Sequence, residues 1–212
     1  MLRDKKLLIL MLGAILPLTA CLNLKQPKNR IDYYTLEYEP PSVKNQPTLP
    51  YVIKVDHFSV APVYNSNRII YRDKSYKRQA YNYHHWRVNP ADFVTYFLSR
   101  DMKQSGLFQA VLPRDSRFPS FYLLEGVVDD FFELDRDNGW EAVLSVSIAF
   151  MNEVEPDISK KILLQKIYST SKPCEQKNPR ALARAMSQAM SEVSGKIIHD
   201  VYEVLKNSRR SN

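Results

Sequence analysis

From Trp140 to Phe150 the apolar residues Trp140, Ala142, Leu144, Val146, Ile148 and Phe150 alternate with Glu141, Ser145 and Ser147. Successive side chains of a strand point to opposite faces, so a strict period of two predicts an extended segment with one buried face. Phe121 to Glu133 precedes it as another long extended run, and Asp137-Asn138-Gly139 between them has the chemistry of a tight antiparallel turn. A hairpin is expected here. Residues 152–160 make the next connection and Lys161 to Thr170 a further strand, which extends the hairpin to a three-stranded meander.

Two segments have the opposite periodicity and are expected to cover the sheet. Asn89-Pro90-Ala91-Asp92 opens a helix, with Asn89 as N-cap, Pro90 at the first helical position and Asp92 near the positive end. Phe93, Phe97, Leu98 and Met102 share one face, and Gly106 supplies a left-handed stop after Ser105. A second helix starts after Asn178-Pro179 and continues to about Lys206, with Leu182, Met186, Met190, Val193, Ile197, Val201 and Leu205 as its apolar stripe. Such a stripe suits a membrane, another subunit or the chain's own sheet, and the sheet is favoured. The expected fold class is α+β, a mostly antiparallel sheet with two main helices packed on it.

Earlier in the chain, residues 31–38 (IDYYTLEY) and 51–60 (YVIKVDHFSV) read as two more strands, with Ala61-Pro62 ending the second. Residues 22–30 and 39–50 are polar and proline-bearing, which marks tether and loop. From Tyr64 to Trp86 tyrosines are interleaved with Arg68, Arg72, Lys74, Lys77 and Arg78 in a setting of short strands and turns. Tyrosine, tryptophan and arginine dominate protein interfaces, so Tyr71, Arg72, Tyr76, Tyr81 and Trp86 are the candidate partner or oligomer surface.

The amino terminus has the three parts of a secretory signal. Arg3, Lys5 and Lys6 make a charged head, and Leu7 to Leu16 follow as ten uncharged residues, too short to span about 30 Å of hydrocarbon. Leu18-Thr19-Ala20-Cys21 then resembles the lipobox of bacterial lipoproteins, in which an aliphatic and two small residues precede the cysteine that receives the lipid. Several acyl chains on Cys21 would hold the protein stably, where a single chain binds only marginally. The expected organisation is a signal peptide over 1–20, a tether over 21–30, one domain over 31–206 and a disordered tail over 207–212.

A lipidated Cys21 leaves Cys174 without a disulfide partner, and a buried or loop thiol is expected there. The net charge of +7 includes +2 from the signal, from Arg3, Lys5 and Lys6 against Asp4, and the remaining charge is spread along the chain. In an envelope protein that charge suits anionic headgroups or an acidic partner, and no nucleic-acid role is expected.

Motifs of catalysis and cofactor binding are missing. Gly106, Gly126, Gly139 and Gly195 are scattered, so neither a P-loop nor a dinucleotide fingerprint exists, and no G-x-S-x-G elbow is found. His84 and His85 are adjacent, which sends them to opposite faces of a strand and argues against a metal site. The acidic run Asp129, Asp130, Glu133, Asp135 and Asp137 departs from a calcium loop, since Asn138 stands where glycine is needed and Leu144 where the closing glutamate belongs. The chain is expected to be no enzyme and to take no cofactor.

Several short segments follow one another in a familiar order. They are Tyr33-Tyr34-Thr35-Leu36, Ile53-x-Val55 leading to Val60-Ala61-Pro62, Asn67-Arg68-Ile69-Ile70-Tyr71-Arg72, Tyr83 with Trp86 before Asn89-Pro90, Ser105-Gly106-Leu107-Phe108 and the long final helix. Over about residues 31–205 the chain resembles the ABC-type transport auxiliary lipoproteins, which accompany MCE-domain lipid transport systems such as the paraquat-inducible operon. The resemblance implies a non-catalytic accessory of lipid transport between envelope membranes, with an MCE-domain protein as partner. It implies attachment to the inner leaflet of the outer membrane, facing the periplasm, and Leu22 in place of an aspartate agrees. It also leaves room for a homo-oligomer. The run from Lys74 to His85 is richer in tyrosine and histidine than the family pattern. An outer-membrane assembly or envelope-integrity lipoprotein is the alternative, and neighbouring genes would separate the two.

Overall fold

The computed structural model describes residues 30–42, 46–73 and 75–211. The expected signal segment, the lipobox residues Leu18, Thr19 and Ala20, and Cys21 lie outside them.

The hairpin expected from the alternating run is the centre of the fold. β7 (Tyr122–Arg136) and β8 (Gly139–Asn152) pair antiparallel along their whole length, from Tyr122 opposite Asn152 to Arg136 opposite Gly139, with Asp137 and Asn138 as the turn. β9 (Ile162–Pro173) pairs antiparallel with β8, which completes the meander. On β8 the alternating residues Ala142, Leu144, Val146, Ile148 and Phe150 are all buried. One residue interrupts the ladder. Val128 faces Val146 but Asp130 faces Ser145, so Asp129 is an extra residue and bulges β7.

The other edge of β7 is shared by three short strands. β2 (Leu49–Val55) meets Tyr122–Leu124, β3 (Ser59–Val60) meets Val127–Val128 and β4 (Arg68–Arg72) meets Glu133–Leu134, all parallel to β7. Beyond β2 lies β6 (Phe108–Pro113), parallel to it. Beyond β4 lie the antiparallel β5 (Arg78–Trp86) and then β1 (Asp32–Tyr34), parallel to β5. Among the described residues the sheet has nine strands, and five of its eight pairings are parallel. The expectation of a mostly antiparallel sheet is therefore corrected to a mixed one. Alternation reports which face is buried and is silent on strand direction. Only the local turn at 137–138 declared an antiparallel pair, while the parallel partners of β7 come from far along the chain.

The expected strand over 51–60 is broken because Phe58 leaves the ladder for the core. Its ring, fully buried, lies over Gly126, where a Cβ would overlap the ring and the Ser147 carbonyl oxygen. Its amide donates to Thr95 Oγ1 at 2.9 Å, while Asp56 N and Ala61 N on either side bond to Leu124 O and Val128 O of β7. Gly126 is thus required by close approach rather than by its own conformation.

Both main helices cover one face of the sheet. α1 (Pro90–Gln104) starts at Asn89, whose Oδ1 accepts from Ala91 N at 2.9 Å, and ends before Gly106 at φ +67°. It contacts β6, β7 and the final helix. After the single turn α2 (Ile158–Lys161), α3 (Pro179–Ser211) runs along β8 and β9 with its predicted stripe from Leu182 to Leu205 buried. Tyr168 and Lys166 of β9 reach Asp200 at 2.7 and 2.6 Å. Lys172 and Lys196 both pair with Glu192, whose carboxyl they hold down at about 2. The helix continues to Ser211, beyond the expected end at Lys206. No glycine or proline stops it, and Ser208 Oγ bonds back to Val204 O at 2.9 Å.

The segment after β1 is a strap rather than a strand. Leu36 is buried, Glu37 N donates to Ser187 Oγ at 3.0 Å, Pro41 rests on Gly195 and Tyr202 donates to Pro47 O at 3.0 Å. Pro41 and Pro47, in the stretch read as loop, are therefore laid along α3.

Gly126→Ala is expected to destabilise the domain by roughly 1–3 kcal/mol, since neither the Phe58 ring nor a backbone carbonyl of β8 has room to move. Thermal unfolding followed by circular dichroism measures this, and a melting temperature equal to wild type would contradict the packing.

Candidate functional site

The tyrosine-rich stretch folds into β4, β5 and the turn between them. On this hairpin the rings of Tyr71 and Tyr81 meet tilted at 43° with centroids 4.8 Å apart, and Tyr71 donates to Gln79 Oε1 at 2.7 Å. Arg72 lies on the other side of β4, its guanidinium 4.6 Å from the centre of the Phe132 ring. Tyr76, at the turn, is fully exposed. Trp86 is not part of this surface. It is 1% exposed and packs edge-on against Phe93 and Phe131, so its assignment to an interface is corrected to a core role. An indole between a strand and α1 is worth more as buried area than as a surface contact.

Tyr81 joins the surface to the interior. Its hydroxyl donates to both carboxylate oxygens of Glu133, at 3.0 and 3.2 Å, and its ring stands 5.8 Å from His84 and 6.4 Å from Trp140. Glu133 is 1% exposed on β7. Burial raises its pKa to about 7. Asp135 pushes it further up, while the Tyr81 hydroxyl and Lys177 work in the opposite direction. Tyr81 is correspondingly harder to ionise than a free phenol, by burial and by the carboxylate beside it. Cys174 is half-buried nearby and donates its backbone N–H to Trp140 O at 2.7 Å. Burial, with Glu133 adding to it, pushes the thiol up to about 11, so it is protonated at neutral pH and a poor nucleophile.

The two histidines separate as adjacent strand residues do. His84 Nδ1 lies 3.1 Å from the Tyr34 hydroxyl, and His85 meets Tyr33 edge to face. Among the described residues no group of three or more His, Cys, Asp or Glu side chains is placed to hold a metal ion. The acidic run is likewise dispersed, because most of it lies in β7 rather than in a loop. Asp130 accepts from Tyr64 at 3.0 Å, Glu133 from Tyr81, and Asp135 faces Lys177 at 3.5 Å.

Sequence reasoning missed the two buried carboxylates. Asp101, fully buried in α1, is gripped by Arg100 through Nε and Nη2 and by the Tyr38 hydroxyl at 2.7 Å. Glu133 has no comparable cation in contact. No pattern in the sequence marked it, because the Asp129 bulge that shifts the alternation of β7 and brings position 133 to the side of Phe131 is seen only in the pairing with β8.

Residues 34–198 match the family model described as the ABC-type transport auxiliary lipoprotein component. Among solved structures, protein XCC0632 from Xanthomonas campestris, of the DUF330 family, has a TM-score of 0.75 at 17% identity, covering 84% of this chain and 99% of its own. The crystal structure of an uncharacterized protein has a TM-score of 0.63 at 13% identity over 81% and 99% of the two chains. The hypothetical protein CT253 from Chlamydia trachomatis has a TM-score of 0.51 at 8% identity over 74% and 98%. These likenesses show a shared fold. No curated protein matches the sequence.

The raised Glu133 pKa sets a pH dependence. A carboxyl whose pKa is higher in the folded state contributes stability that is complete below its unfolded value, near 4.5, and is lost as pH rises through about 7. Glu133→Gln keeps the neutral shape. At pH 8 it is expected to be more stable than wild type and to unfold at higher temperature, with a stability difference of about 3 kcal/mol that closes toward pH 4.5. A stability difference that is flat with pH would refute the assignment.

Proposed function

This chain belongs to the ABC-type transport auxiliary lipoprotein family, and from that premise we propose that it is a lipid-anchored, non-catalytic accessory of an MCE-type lipid transport system working between envelope membranes. The family match over residues 34–198 carries this reading, because it spans α1, the larger part of α3 and strands β2 to β9. The domain's own chemistry agrees with an accessory role. Its thiol is held protonated, its histidines sit on opposite faces of a strand, and its buried carboxylates bond to side chains of the fold.

Cys21 is the proposed lipidation site, with Leu18, Thr19 and Ala20 as its lipobox and residues 22–30 as the tether. Leu22 favours the outer membrane, with the domain facing the periplasm. Among the described residues no helix is long and apolar enough to cross a membrane, so the lipid is the proposed means of attachment. Cys21→Ser is expected to release the protein into the soluble envelope fraction. Retention in the membrane fraction by that variant would sink the anchor.

The hairpin surface of Tyr71, Arg72, Tyr76 and Tyr81 is proposed to meet a neighbouring protein, either the MCE-domain partner or another copy. Replacing Tyr71, Arg72 and Tyr76 together by alanine is expected to reduce both the mass of the detergent-extracted assembly, read by light scattering, and the recovery of the partner on the tagged full chain. A folded triple variant unchanged in both measurements would remove this surface from the proposal.

A further inference from the structure

Among the described residues β9 pairs with β8 alone, so its other edge is open. The ladder fixes which of its backbone groups face outward. Cys174 N donates to Trp140 O at 2.7 Å, one step beyond the pair of Glu141 and Pro173. Bonding alternates along an antiparallel pair, so Lys172, Thr170, Tyr168 and Lys166 turn their amides and carbonyls to β8. Ser171, Ser169, Ile167 and Gln165 turn theirs to the open edge. Pro173 shares this outward register, where an edge strand tolerates a missing N–H.

The side chains divide by the same alternation. Lys166 and Tyr168 bond to Asp200, and Thr170 and Lys172 bond to Glu192, so one row is held down on α3. In the other row Ile167 is 66% exposed. A groove of about 790 Å³ lies between β9 and α3, lined by the consecutive residues 166–169, by Ser191, Gly195 and His199 of the helix, and by Pro41 of the strap. Consecutive strand residues point to opposite faces, so they line one groove together only where it follows the strand's edge. The small residues Ser191 and Gly195 leave room there for the side chains of a guest.

Charge selects that guest. Counted by segment, the formal +7 is concentrated rather than spread: residues 160–212, which hold β9 and α3, carry all of it, and residues 1–159 are balanced. β9 contains Lys166 and Lys172 and no acidic residue, and Lys160 and Lys161 precede it. Two such edges repel each other, which disfavours a second copy in this position. An acidic strand is attracted by the same lysines. A row of open amides and carbonyls is matched by extended backbone, which lipid headgroups do not possess.

We infer that the open edge of β9 and the groove beside α3 take an acidic, extended segment of a partner protein as an added strand. This contact is separate from the hairpin surface of Tyr71 and Arg72, and it requires no particular transporter.

The test uses the full lipidated chain in mild detergent and a fluorescent peptide of alternating Glu and Val, compared with its Lys and Val counterpart. Ile167→Pro removes one outward N–H and no bond to β8, while Ile167→Thr keeps that N–H. The acidic peptide is expected to bind by fluorescence anisotropy, to weaken with added salt, and to lose about tenfold in affinity with Ile167→Pro but little with Ile167→Thr. On the wild-type chain it is expected to slow hydrogen exchange at the amides of Ile167 and Ser169. Equal binding of the basic peptide would overturn the added strand, and so would wild-type affinity in a folded Ile167→Pro. Unchanged exchange at both amides would overturn it even where the proline variant does not fold. Binding of phosphatidylglycerol vesicles without binding of the acidic peptide would overturn it in favour of a membrane contact. A particle mass in light scattering that halves with Ile167→Pro in the absence of peptide would overturn it in favour of a second copy.

Discussion

β7 is paired on both edges, and the rest of the domain follows from how the two edges differ. β8 runs along one edge without a gap except at the Asp129 bulge, while the other is divided among β2, β3 and β4. The divided edge depends on one close approach. Phe58 can leave the ladder and enter the core only because Gly126 has no side chain, and that excursion splits what would be a single strand into β2 and β3. From β2 the sheet continues to β6, and from β4 to β5 and β1. The branch thus leaves β1 and β6 as the two outer strands of the divided side.

Two carboxylates are buried beneath the helices, and the protein treats them differently. Asp101 is met by a guanidinium and a phenol, and Arg100 also covers the Tyr38 and Phe97 rings, so the charge is compensated in place. This network pins the strap after β1 to α1. Glu133 is met by a phenol alone, with Lys177 acting from a distance, and burial prevails. The first arrangement holds the strap after β1 against α1. The second makes the hairpin side of the domain the part that responds to pH near neutrality.

Local signals were legible in the sequence, and distant pairings were not. Asn89, Gly106 and Asn178 mark the bounds of helices by their own chemistry, and the stripe from Leu182 to Leu205 needs only a period of 3.6 to be seen. The β7–β8–β9 meander is read from alternation and one turn. The parallel strands on the far edge of β7 carry no such signature, because the residues that pair there are about sixty or more positions apart. Trp86 misled for a related reason. An indole among tyrosines and arginines has the composition of an interface, and only the position of α1 reveals that it is covered. The contact between the segment before β7 and the segment after β8 was hidden in the same way, because Glu153 N and Phe121 O are brought together only by the sheet.

Matched lengths of helix and sheet make the domain one stiff body. β7 has 15 residues and spans roughly 50 Å, and the 33 residues of α3 span about the same length beside the meander. A helix and sheet of matched length, joined by a continuous buried stripe and by ion pairs from β9 to Asp200 and Glu192, resist bending as one body.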